Sequence, residues 1–502
     1  MAITKVHLLS IHLENDYKHT LFFESKSAQS TYFQGKIEHS FTDFTYQRKD
    51  NKIRIGVEYD TIFNCNYVMY QNTAYSNKWF YCFITDMKYI SEGVTEIYIE
   101  TDVIQTYMFD IEIKKSFIER EHTNDDSIGA NTVPEGLEIG DYICNVHAKD
   151  TTLDDLVIVV GSTESSTGNR YEGGQYGGIY SGVKYHFSEG YTVMNQHLLA
   201  YDWGKIEAIV NVFMAPKFLC DTDQTFPVSA VNYSSEAKSY NITQAKHYYL
   251  EGYEPKNNKL FCYPYSYLLV SNNNGSSAIY KYELFENTNM VFKVQGVLTP
   301  GCSIRMVPLN YAGISVNDEE GINLGKYPIC NWNSDAYTNW MTQNSVNTGV
   351  SIATTLLGAM AGGTTGLIVA GGSALNLITN SIGESAKMSL TPAHASGNTN
   401  CGDVITASKK NSFHFYKMSI KSEYAKILDD YFTMFGYKTN RVKVPNKNHR
   451  KRFWYTKTVD CEIDGKIPQK DLEKIKNCYN NGITFWRNAS EIGEFNLDNP
   501  IV

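Results

Sequence analysis

The stretch Thr95-Glu-Ile-Tyr-Ile-Glu100 alternates polar and apolar side chains, and Phe109-Asp-Ile-Glu-Ile-Lys114 largely repeats the pattern. A period of two residues is typical of a β-strand in a sheet that has one face in water. The heavier apolar runs Tyr67-Val-Met-Tyr70 and Trp79-Phe-Tyr-Cys-Phe-Ile84 suit strands that are covered on both faces. The N-terminal part of the chain is therefore predicted to form an antiparallel β-sandwich or β-barrel.

The composition extends this prediction to the whole chain of 502 residues. It contains 37 Tyr, and 13% of its residues are aromatic, which favours strands. Two helices are expected near the C-terminus: Ser422 caps the first, which Gly436 ends, and the second runs over 468–479 before Gly482. The predicted fold class is mainly β, with antiparallel barrel or sandwich domains, a few helices, an inserted mixed domain and a long hydrophobic loop.

The middle of the chain, from Cys144 to Tyr327, is predicted to be an inserted domain of mixed but mainly β character. Residues 161–190 are rich in Ser, Thr, Gly and Tyr and are expected to form an exposed loop. Further strands are expected at 156–160, 206–213, 260–269, 278–284 and 290–298, and after this domain at 413–420.

Residues 336–383 contain no Asp, Glu, Lys, Arg or His, although 20% of the chain is charged. Small residues recur at every fourth position, which on a helix gives a smooth stripe that a second backbone can approach closely. The pattern favours membrane insertion or oligomeric packing; a buried two-helix hairpin and a flexible linker are the alternatives. The stripe consists of Thr354, Gly358, Gly362, Gly366, Ala370 and Ala374.

Within this stretch, the candidate membrane-inserting residues are the apolar side chains of two runs and the glycines between them. They are Val350, Ile352, Leu356, Leu357, Gly358, Met360, Gly362, Gly366, Leu367, Ile368, Val369, Ala370, Leu375, Leu377 and Ile378.

The formal net charge of −9 argues against a dedicated nucleic-acid coat and gives no general attraction to anionic membranes. The N-terminal sequence lacks the long apolar segment of a secretory signal, so synthesis in a cytoplasm is expected. The ten cysteines include no CxxC pair, which favours reduced thiols over a zinc site or a disulfide framework.

No nucleophile elbow, Walker loop, zincin signature or dinucleotide fingerprint occurs in the chain, so no catalytic residue and no cofactor is predicted. His122, beside Arg120 and Glu121, is interpreted as structural because no partner nucleophile is indicated. The spacing from Asp460 to Asp471 resembles a calcium loop, but Asp464-Gly465 is also a common hairpin turn. The turn is preferred, and no metal is predicted.

Residues 438–457 form a basic run that contains no Asp or Glu. Aromatic side chains follow directly after its last arginine. Such a run can follow a nucleic-acid backbone. The alternative is a solvated or subunit-contacting face, which is the more common role of a run of charges. The basic residues are Arg441, Lys443, Lys447, Arg450, Lys451 and Arg452.

Short motifs at both ends of the chain resemble the tail knob proteins of short-tailed phages of the phi29-like group. The matching segments are Asn15-Asp-Tyr-Lys-His-Thr20, Asn77-Lys-Trp-Phe-Tyr81, Glu100-Thr-Asp-Val-Ile-Gln-Thr-Tyr-Met-Phe-Asp110, Ser116-Phe-Ile-Glu-Arg-Glu-His122, Glu135-Gly-Leu137, Gly436-Tyr-Lys-Thr-Asn-Arg-Val-Lys443 and Asn481-Gly-Ile-Thr-Phe-Trp486.

The resemblance implies a virion protein at the distal tip of the tail, made in the host bacterial cytoplasm and assembled as a homo-hexameric tube. One hydrophobic loop per subunit would plug the tube and then form a pore in the host cell membrane for ejection of the viral DNA. The implied partners are other tail proteins, the host membrane, and DNA that passes through the lumen without sequence specificity. No enzymatic activity is implied.

The domains expected on this basis are a tube domain built from residues 1–145 and 402–502, an inserted domain over 146–335 and a membrane-active loop over 336–401. The inserted domain shows little similarity to the family. A tail-associated cell-wall hydrolase, with its site in that domain, and a purely structural adaptor or receptor-binding protein are the alternative functions.

Overall fold

The computed structural model describes residues 4–44, 51–73, 76–162, 175–176, 179–180, 182–189, 209–219, 224–227, 237–298, 301–312, 321–331, 398–399, 406 and 408–502. The chain folds into two compact units. The first unit combines Met1–Ile139, Pro255–Leu260 and Glu423–Val502, and the second combines Gly140–Glu254 and Phe261–Ser422.

Strands dominate both units. The strands of the first unit are β1 (Thr4–Leu9), β2 (His19–Leu21), β3 (Ile37–Phe44), β4 (Lys52–Ile55), β5 (Tyr67–Asn72), β6 (Trp79–Ser91), β7 (Val94–Thr101), β8 (Ile111–Ile113), β9 (Ser116–Glu121), β26 (Tyr437–Lys443), β27 (Phe453–Asp460), β28 (Ile463–Gly465) and β29 (Ile483–Trp486). Those of the second unit are β10 (Tyr142–Lys149), β11 (Leu156–Ser162), β12 (Gln175–Tyr176), β13 (Ile179–Tyr180), β14 (Gly182–Glu189), β15 (Ile209–Pro216), β16 (Gln224–Pro227), β17 (Lys238–Ala245), β18 (Ser266–Ser271), β19 (Ser277–Tyr280), β20 (Asn289–Val297), β21 (Ser303–Pro308), β22 (Ile322–Asn323), β23 (Ile329–Asn331), β24 (Asn398–Thr399) and β25 (His414–Ile420).

The described helices are short and few, as predicted: α1 (Lys26–Gln34), α2 (Tyr59–Ile62), α3 (Val103–Tyr107), α4 (Ser422–Phe435) and α5 (Gln469–Asn481). The predicted C-terminal helices correspond to α4 and α5, and each ends before a glycine with positive φ, Gly436 or Gly482. Within the described ranges, no helix is long and apolar enough to cross a bilayer.

The first unit contains a six-stranded sheet in the order β3-β1-β5-β6-β7-β4 and a five-stranded sheet in the order β2-β29-β27-β9-β26. Neighbours on β5 alternate between two hydrophobic cores: Tyr67 and Met69 belong to one, Val68 and Tyr70 to the other. The prediction that this apolar run forms a strand covered on both faces is confirmed. The mainly β fold class is confirmed as well.

The second unit contains sheets in the orders β10-β25-β18-β19, β17-β20-β21-β22 and β16-β14-β11-β15-β23-β24. Its core includes the fully buried side chains of Phe213, Phe292, Met306, Phe413 and Phe415. The strands expected at 156–160, 290–298 and 413–420 are present as β11, β20 and β25, with small shifts in their limits.

Three sequence predictions of secondary structure in the second unit are wrong. The strand expected from residue 260 begins only at Ser266, because Pro264 cannot donate to a sheet ladder. Residues 282–284 form a 3₁₀ turn that places Tyr282 and Phe285 in the core with the three-residue spacing of such a turn. The loop expected over 161–190 contains β14, whose sequence alternates apolar and polar residues.

Candidate functional site: the sheet edge that carries the apolar stretch

The predicted membrane-inserting residues, from Val350 to Ile378, lie outside the described residues, as does the whole of 336–383. The structure describes the two segments between which this stretch is inserted. The preceding segment ends with β23, and the following segment begins with β24. The site is therefore defined by these two segments and by the side chains that hold them.

β23 and β24 pair with each other in antiparallel register, with Cys330 opposite Thr399 and Asn331 opposite Asn398. On its other side β23 pairs with β15, where Ile329 lies opposite Phe213. The chain thus leaves the edge of a six-stranded sheet after Asn331 and returns to the same edge at Asn398. Residues 332–397 are an insertion whose two ends are adjacent.

The segment before the insertion is fixed to the core of the second unit. Tyr327 is 1% exposed, and its backbone N–H donates to the carbonyl of Gly301 at 3.0 Å. Burial raises the pKa of the Tyr327 hydroxyl well above its usual value, so the side chain is neutral. The next carbonyl, of Pro328, accepts from the backbone N–H of Met214 at 3.1 Å. These contacts fix the start of β23 beside β15.

The segment after the insertion is fixed by contacts around Asp150. The hydroxyl of Ser412 donates to the carbonyl oxygen of Asp150 at 2.5 Å, and the backbone N–H of Asp150 donates to the carbonyl of Phe413 at 3.0 Å. The carboxylate of Asp150 accepts from the backbone N–H of Thr152 at 3.0 Å and from the hydroxyl of Tyr240. Asp150 therefore holds the segment at Ser412 and Phe413 through its backbone and β17 through its carboxylate.

In addition to the β23–β24 pairing, one side-chain hydrogen bond joins the two segments directly. The side-chain amide of Asn411 donates to the carbonyl of Gly325 at 3.3 Å. A Cβ at Gly325 would lie 2.7 Å from Nδ2 of Asn274, so a larger residue there would require that side chain to move. A segment held at both ends on a sheet can change its surroundings while the fold that carries it stays intact.

The sequence did not single out Asp150, Asn411 or Ser412. Their contacts join residues more than 80 positions apart along the chain, and no local pattern signals such pairs. The sequence did locate the insertion itself, because a charge-free stretch is a local property.

His122 has a structural role, in agreement with its interpretation from sequence. Its Nδ1 accepts from the backbone N–H of Tyr455 at 2.7 Å, so Nε2 carries the proton and donates to the carbonyl of Thr433 at 3.0 Å. Burial, with the nearby Arg450 and Arg120 guanidinium groups, lowers the pKa of His122 to about 3. The ring is therefore neutral at physiological pH, and both nitrogens are occupied.

The carboxylates of the possible calcium loop lie in different elements. Asp464 is in β28, 3.6 Å from Nζ of Lys114, while Asp471 is in α5 and accepts from the Tyr107 hydroxyl at 2.9 Å. Within the described ranges, no group of three or more His, Cys, Asp or Glu could hold a metal ion. The predicted hairpin turn at Asp464-Gly465 is wrong, because both residues pair with β8 and extend that ladder.

Much of the positive charge of the basic run is used inside the first unit. Lys443 forms an ion pair with the buried carboxylate of Glu121. Arg450 donates to the backbone carbonyls of Thr123 at 3.1 Å and Asn499 at 3.3 Å. These guanidinium and ammonium groups stabilise the fold.

A buried ion cluster that the sequence did not indicate lies in the same unit. Glu135, with a fully buried side chain, forms ion pairs with Arg120 and Lys259, whose side chains are 7% and 3% exposed. The carboxylate also accepts from the backbone N–H of Lys438 at 3.0 Å. Glu135 therefore holds together three segments that are far apart along the chain.

A comparison with protein-family models shows two matches. Residues 229–500, just over half of the chain, match the model of the C-terminal domain of the Bacillus phage phi29 tail knob protein gp9. The chain belongs to the phi29 tail knob family. Residues 2–114 match the model of the N-terminal part of the caudoviral major tail protein, which overlaps the first unit of this tail knob family member.

Curated relatives from this family match over almost their whole length. The tail knob proteins gp9 of Bacillus phages B103 and phi29 are each 26% identical to the chain, covering 99% of it and 98% of the relative. The structure of the bacteriophage C1 tail knob protein gp12 superimposes with a TM-score of 0.65 at 14% identity, covering 99% of this chain and 100% of that one. At that identity the superposition establishes the fold.

The family resemblance seen in the sequence motifs is thus confirmed. The protein is a structural tail component of a short-tailed phage virion. Association with other tail components follows from that role. The names of the relatives agree with the prediction that the protein is not an enzyme.

Proposed function

We propose that the protein forms a hexameric tube at the distal tip of the tail. The apolar stretch 336–383 closes its lumen until infection and then enters the host cell membrane, where it forms a pore for the viral DNA. The tube is assigned to the first compact unit, which unites the two ends of the chain. The viral DNA passes through the lumen without sequence-specific contacts.

The observation that carries this proposal is the placement of a charge-free stretch between two paired strands at the edge of a sheet, in a chain of the tail knob family. Because the chain leaves and re-enters at one sheet edge, the stretch can be packed inside a tube or exposed outside it with the same anchors. The change of environment then requires no unfolding of the sheet.

The two environments differ in what covers the apolar side chains. In the closed tail, the six copies bury apolar surface against one another, which stabilises the plug by roughly 25 cal/mol for each Å² removed from water. In a bilayer, lipid covers the same side chains. The glycine positions 358, 362 and 366 let neighbouring segments approach closely, and threonine hydroxyls bond back to the backbone or face a wet lumen.

The deciding experiment measures dye release from liposomes by the purified protein, with and without residues 350–382, over a series of pH values. Light scattering first checks that both forms assemble. Release that disappears with the deletion supports the pore. A well-assembled full-length protein that releases no dye contradicts it and favours a structural adaptor in which the stretch only packs.

A point substitution sharpens this experiment. Leu357→Asp adds a charge that costs about 3 kcal/mol at the centre of a bilayer, so dye release should fall at least about tenfold while assembly is retained. Ile279→Asp is the control, because Ile279 is 45% exposed on β19 and lies outside the stretch. Equal release by the Leu357 variant and the parent would contradict membrane insertion.

A further inference from the structure

An exposed apolar surface crosses three strands of the five-stranded sheet in the first unit. Phe117 on β9 lies directly opposite Val442 on the edge strand β26 and opposite Asp460 on β27, next to Val459. Phe117, Val442 and Val459 are 39%, 66% and 59% exposed, and Val444 beyond the end of β26 is 46% exposed. These four residues are called the valine surface.

The surroundings of the valine surface fit a protein better than a nucleic acid. A nucleic acid is held by Lys and Arg side chains that are available to its phosphates. Lys443 is instead paired with Glu121, and Arg452 pairs with Glu491 at 2.7 Å and donates to the carbonyl of Asp498 at 3.0 Å. What the surface offers is exposed aliphatic area beside a few remaining cations, such as Arg441.

A second exposed apolar surface lies at one end of the six-stranded sheet. Tyr59 and Phe63, four residues apart at α2, are 37% and 58% exposed, and Tyr89 and Ile90 near the end of β6 are 63% and 45% exposed. Both pairs lie at the same end, because Thr95 is opposite both Ile55 and Tyr89. The side chain of Thr95 also donates to the carbonyl of Val57 at 2.9 Å. These four aromatic and aliphatic residues are called the aromatic tip.

The charges around the two surfaces differ in their predominant sign, with acids in excess at the aromatic tip and cations in excess beside the valine surface. Glu58, Asp60 and Glu92 are exposed beside the apolar side chains of the aromatic tip, and the two nearest cations, Arg54 and Lys88, already contact the carboxylates of Glu96 and Asp86. The basic run beside the valine surface contains no Asp or Glu from residue 432 to 458 and leaves Arg441 exposed, although Asp460 lies opposite Phe117. Apolar patches of this kind on one chain, with complementary charge, are suited to each other.

We propose that the aromatic tip of one copy of the chain docks on the valine surface of the next copy. The proposal rests on the hexameric tube proposed above and identifies the surfaces that join its subunits. Because the two surfaces are different, the contact is heterologous, and repeating it around an axis produces a closed ring when the rotation per subunit divides a full turn. Each copy presents one of each surface within a single compact unit.

Substitutions in the two surfaces test the contact. Val442→Asp and Tyr89→Asp each place a charge at the centre of one surface, and either should raise the concentration for half-maximal assembly by about tenfold or more in sedimentation velocity. Ile427→Asp is the matched control, since Ile427 is equally exposed at 66% on α4 of the same unit and belongs to neither surface. Circular dichroism confirms that each variant is folded.

A cross-linking experiment identifies the pairing. Chains with only Val442→Cys are mixed with chains that carry only Tyr89→Cys, and a short bis-maleimide is added. A cross-linked dimer that requires both variants supports the contact. The exposed Cys144 gives the same background in each chain alone and in the mixture.

The proposal is overturned if the Val442 and Tyr89 variants assemble like the parent, whatever the outcome of the dye-release experiment on residues 350–382. It is also overturned if Arg441→Glu leaves assembly unchanged and weakens binding of a fluorescent DNA duplex, which would make the valine surface a nucleic-acid contact. A parent protein that stays monomeric would contradict both this contact and the hexameric tube, while dye release by residues 350–382 would still be testable on its own.

Discussion

The side-chain amide of Asn411 donates to the backbone carbonyl of Gly325, 3.3 Å away, and joins the segments that lie before and after the apolar insertion. The same two segments carry the paired strands β23 and β24. Two contacts therefore hold the ends of the insertion together: the pairing of β23 with β24 and the hydrogen bond from Asn411 to Gly325.

Asn411→Ala removes this bond and is expected to lower the free energy of unfolding by about 1 kcal/mol. Because the bond joins the two ends of the insertion, cleavage by a dilute protease within 332–397 should also become faster. Asn310→Ala is the control: it removes two side-chain hydrogen bonds, to the carbonyl of Asn289 at 2.8 Å and from the backbone N–H of Val291 at 2.9 Å, neither of which joins the two segments. Similar cleavage rates for both variants would show that the Asn411 bond does not restrain the insertion.

Glu135→Gln leaves the cations of Arg120 and Lys259 buried without their shared carboxylate. Removing one partner of a buried ion pair costs about 3–5 kcal/mol, so the urea midpoint should fall strongly. Glu112→Gln removes an exposed pair with Lys114 and should leave the urea midpoint nearly unchanged, because solvent screens such a pair. A loss of less than about 1 kcal/mol for Glu135→Gln would mean that the two cations find other partners.

Protonation of His122 should make the fold less stable in acid. Its pKa is about 3 in the folded protein and near 6.5 in the unfolded chain, so the unfolded chain binds the extra proton first as pH falls below 6.5. This group alone then lowers the free energy of unfolding by about 1.4 kcal/mol per pH unit, down to about pH 3. His122→Gln should flatten the pH dependence of urea unfolding between pH 6.5 and 5.

Asp102 is the control, because its protonation should change the free energy of unfolding in the opposite direction to that of His122. Burial raises its pKa to about 6, although it accepts from the backbone N–H of Gln105 at 3.0 Å and from the Tyr67 hydroxyl at 2.9 Å. The folded protein takes up this proton before the unfolded chain does, so the carboxyl of Asp102 favours folding increasingly as pH falls from about 6 to 3.8. Asp102→Asn and His122→Gln should therefore change the slope in opposite directions, and changes of the same sign would contradict this assignment.

Gly436→Ala should lower the free energy of unfolding far more than the same substitution at another glycine of positive φ. Gly436 has φ +65°, and a Cβ would lie 2.2 Å from the backbone carbonyl oxygen of Glu121. Gly493 has φ +90°, but a Cβ there would meet nothing within 4 Å, so Gly493→Ala should cost only the backbone term of about 1–2 kcal/mol. Thermal unfolding of the two variants measures the difference, which we expect to exceed about 2 kcal/mol because the obstacle at Gly436 is backbone. Equal losses of stability in the two variants would show that β9 can move away from the new side chain at position 436.

Local patterns explain which features the sequence could predict. The alternation at Thr95–Glu100, the apolar run of β5 and the glycines after α4 and α5 each act through neighbouring residues, and the structure confirms these elements. Asp464-Gly465 shows the limit of such reasoning: as a dipeptide it favours a turn, but pairing with Glu112 and Ile111 makes it a strand.

The anchors of the candidate site depend on contacts between distant parts of the chain. Nothing close to Asp150 in the sequence indicates that Ser412 and Tyr240 will bind it. The ion cluster of Glu135 likewise joins residues that come together only when the first unit folds. The position of the apolar stretch was therefore predictable, whereas the side chains that hold its ends were not.

The pairing of Asn331 with Asn398 makes the apolar insertion an exchangeable cassette. Paired strands lie about 5 Å apart, a gap that a turn of a few residues can close. The sheet therefore requires only that the two ends of the insertion lie close together, and it does not restrict the length or composition of the insertion. Related tail proteins could vary this cassette to suit different host envelopes without redesigning the body that carries it, and a foreign segment with adjacent ends could be grafted in its place.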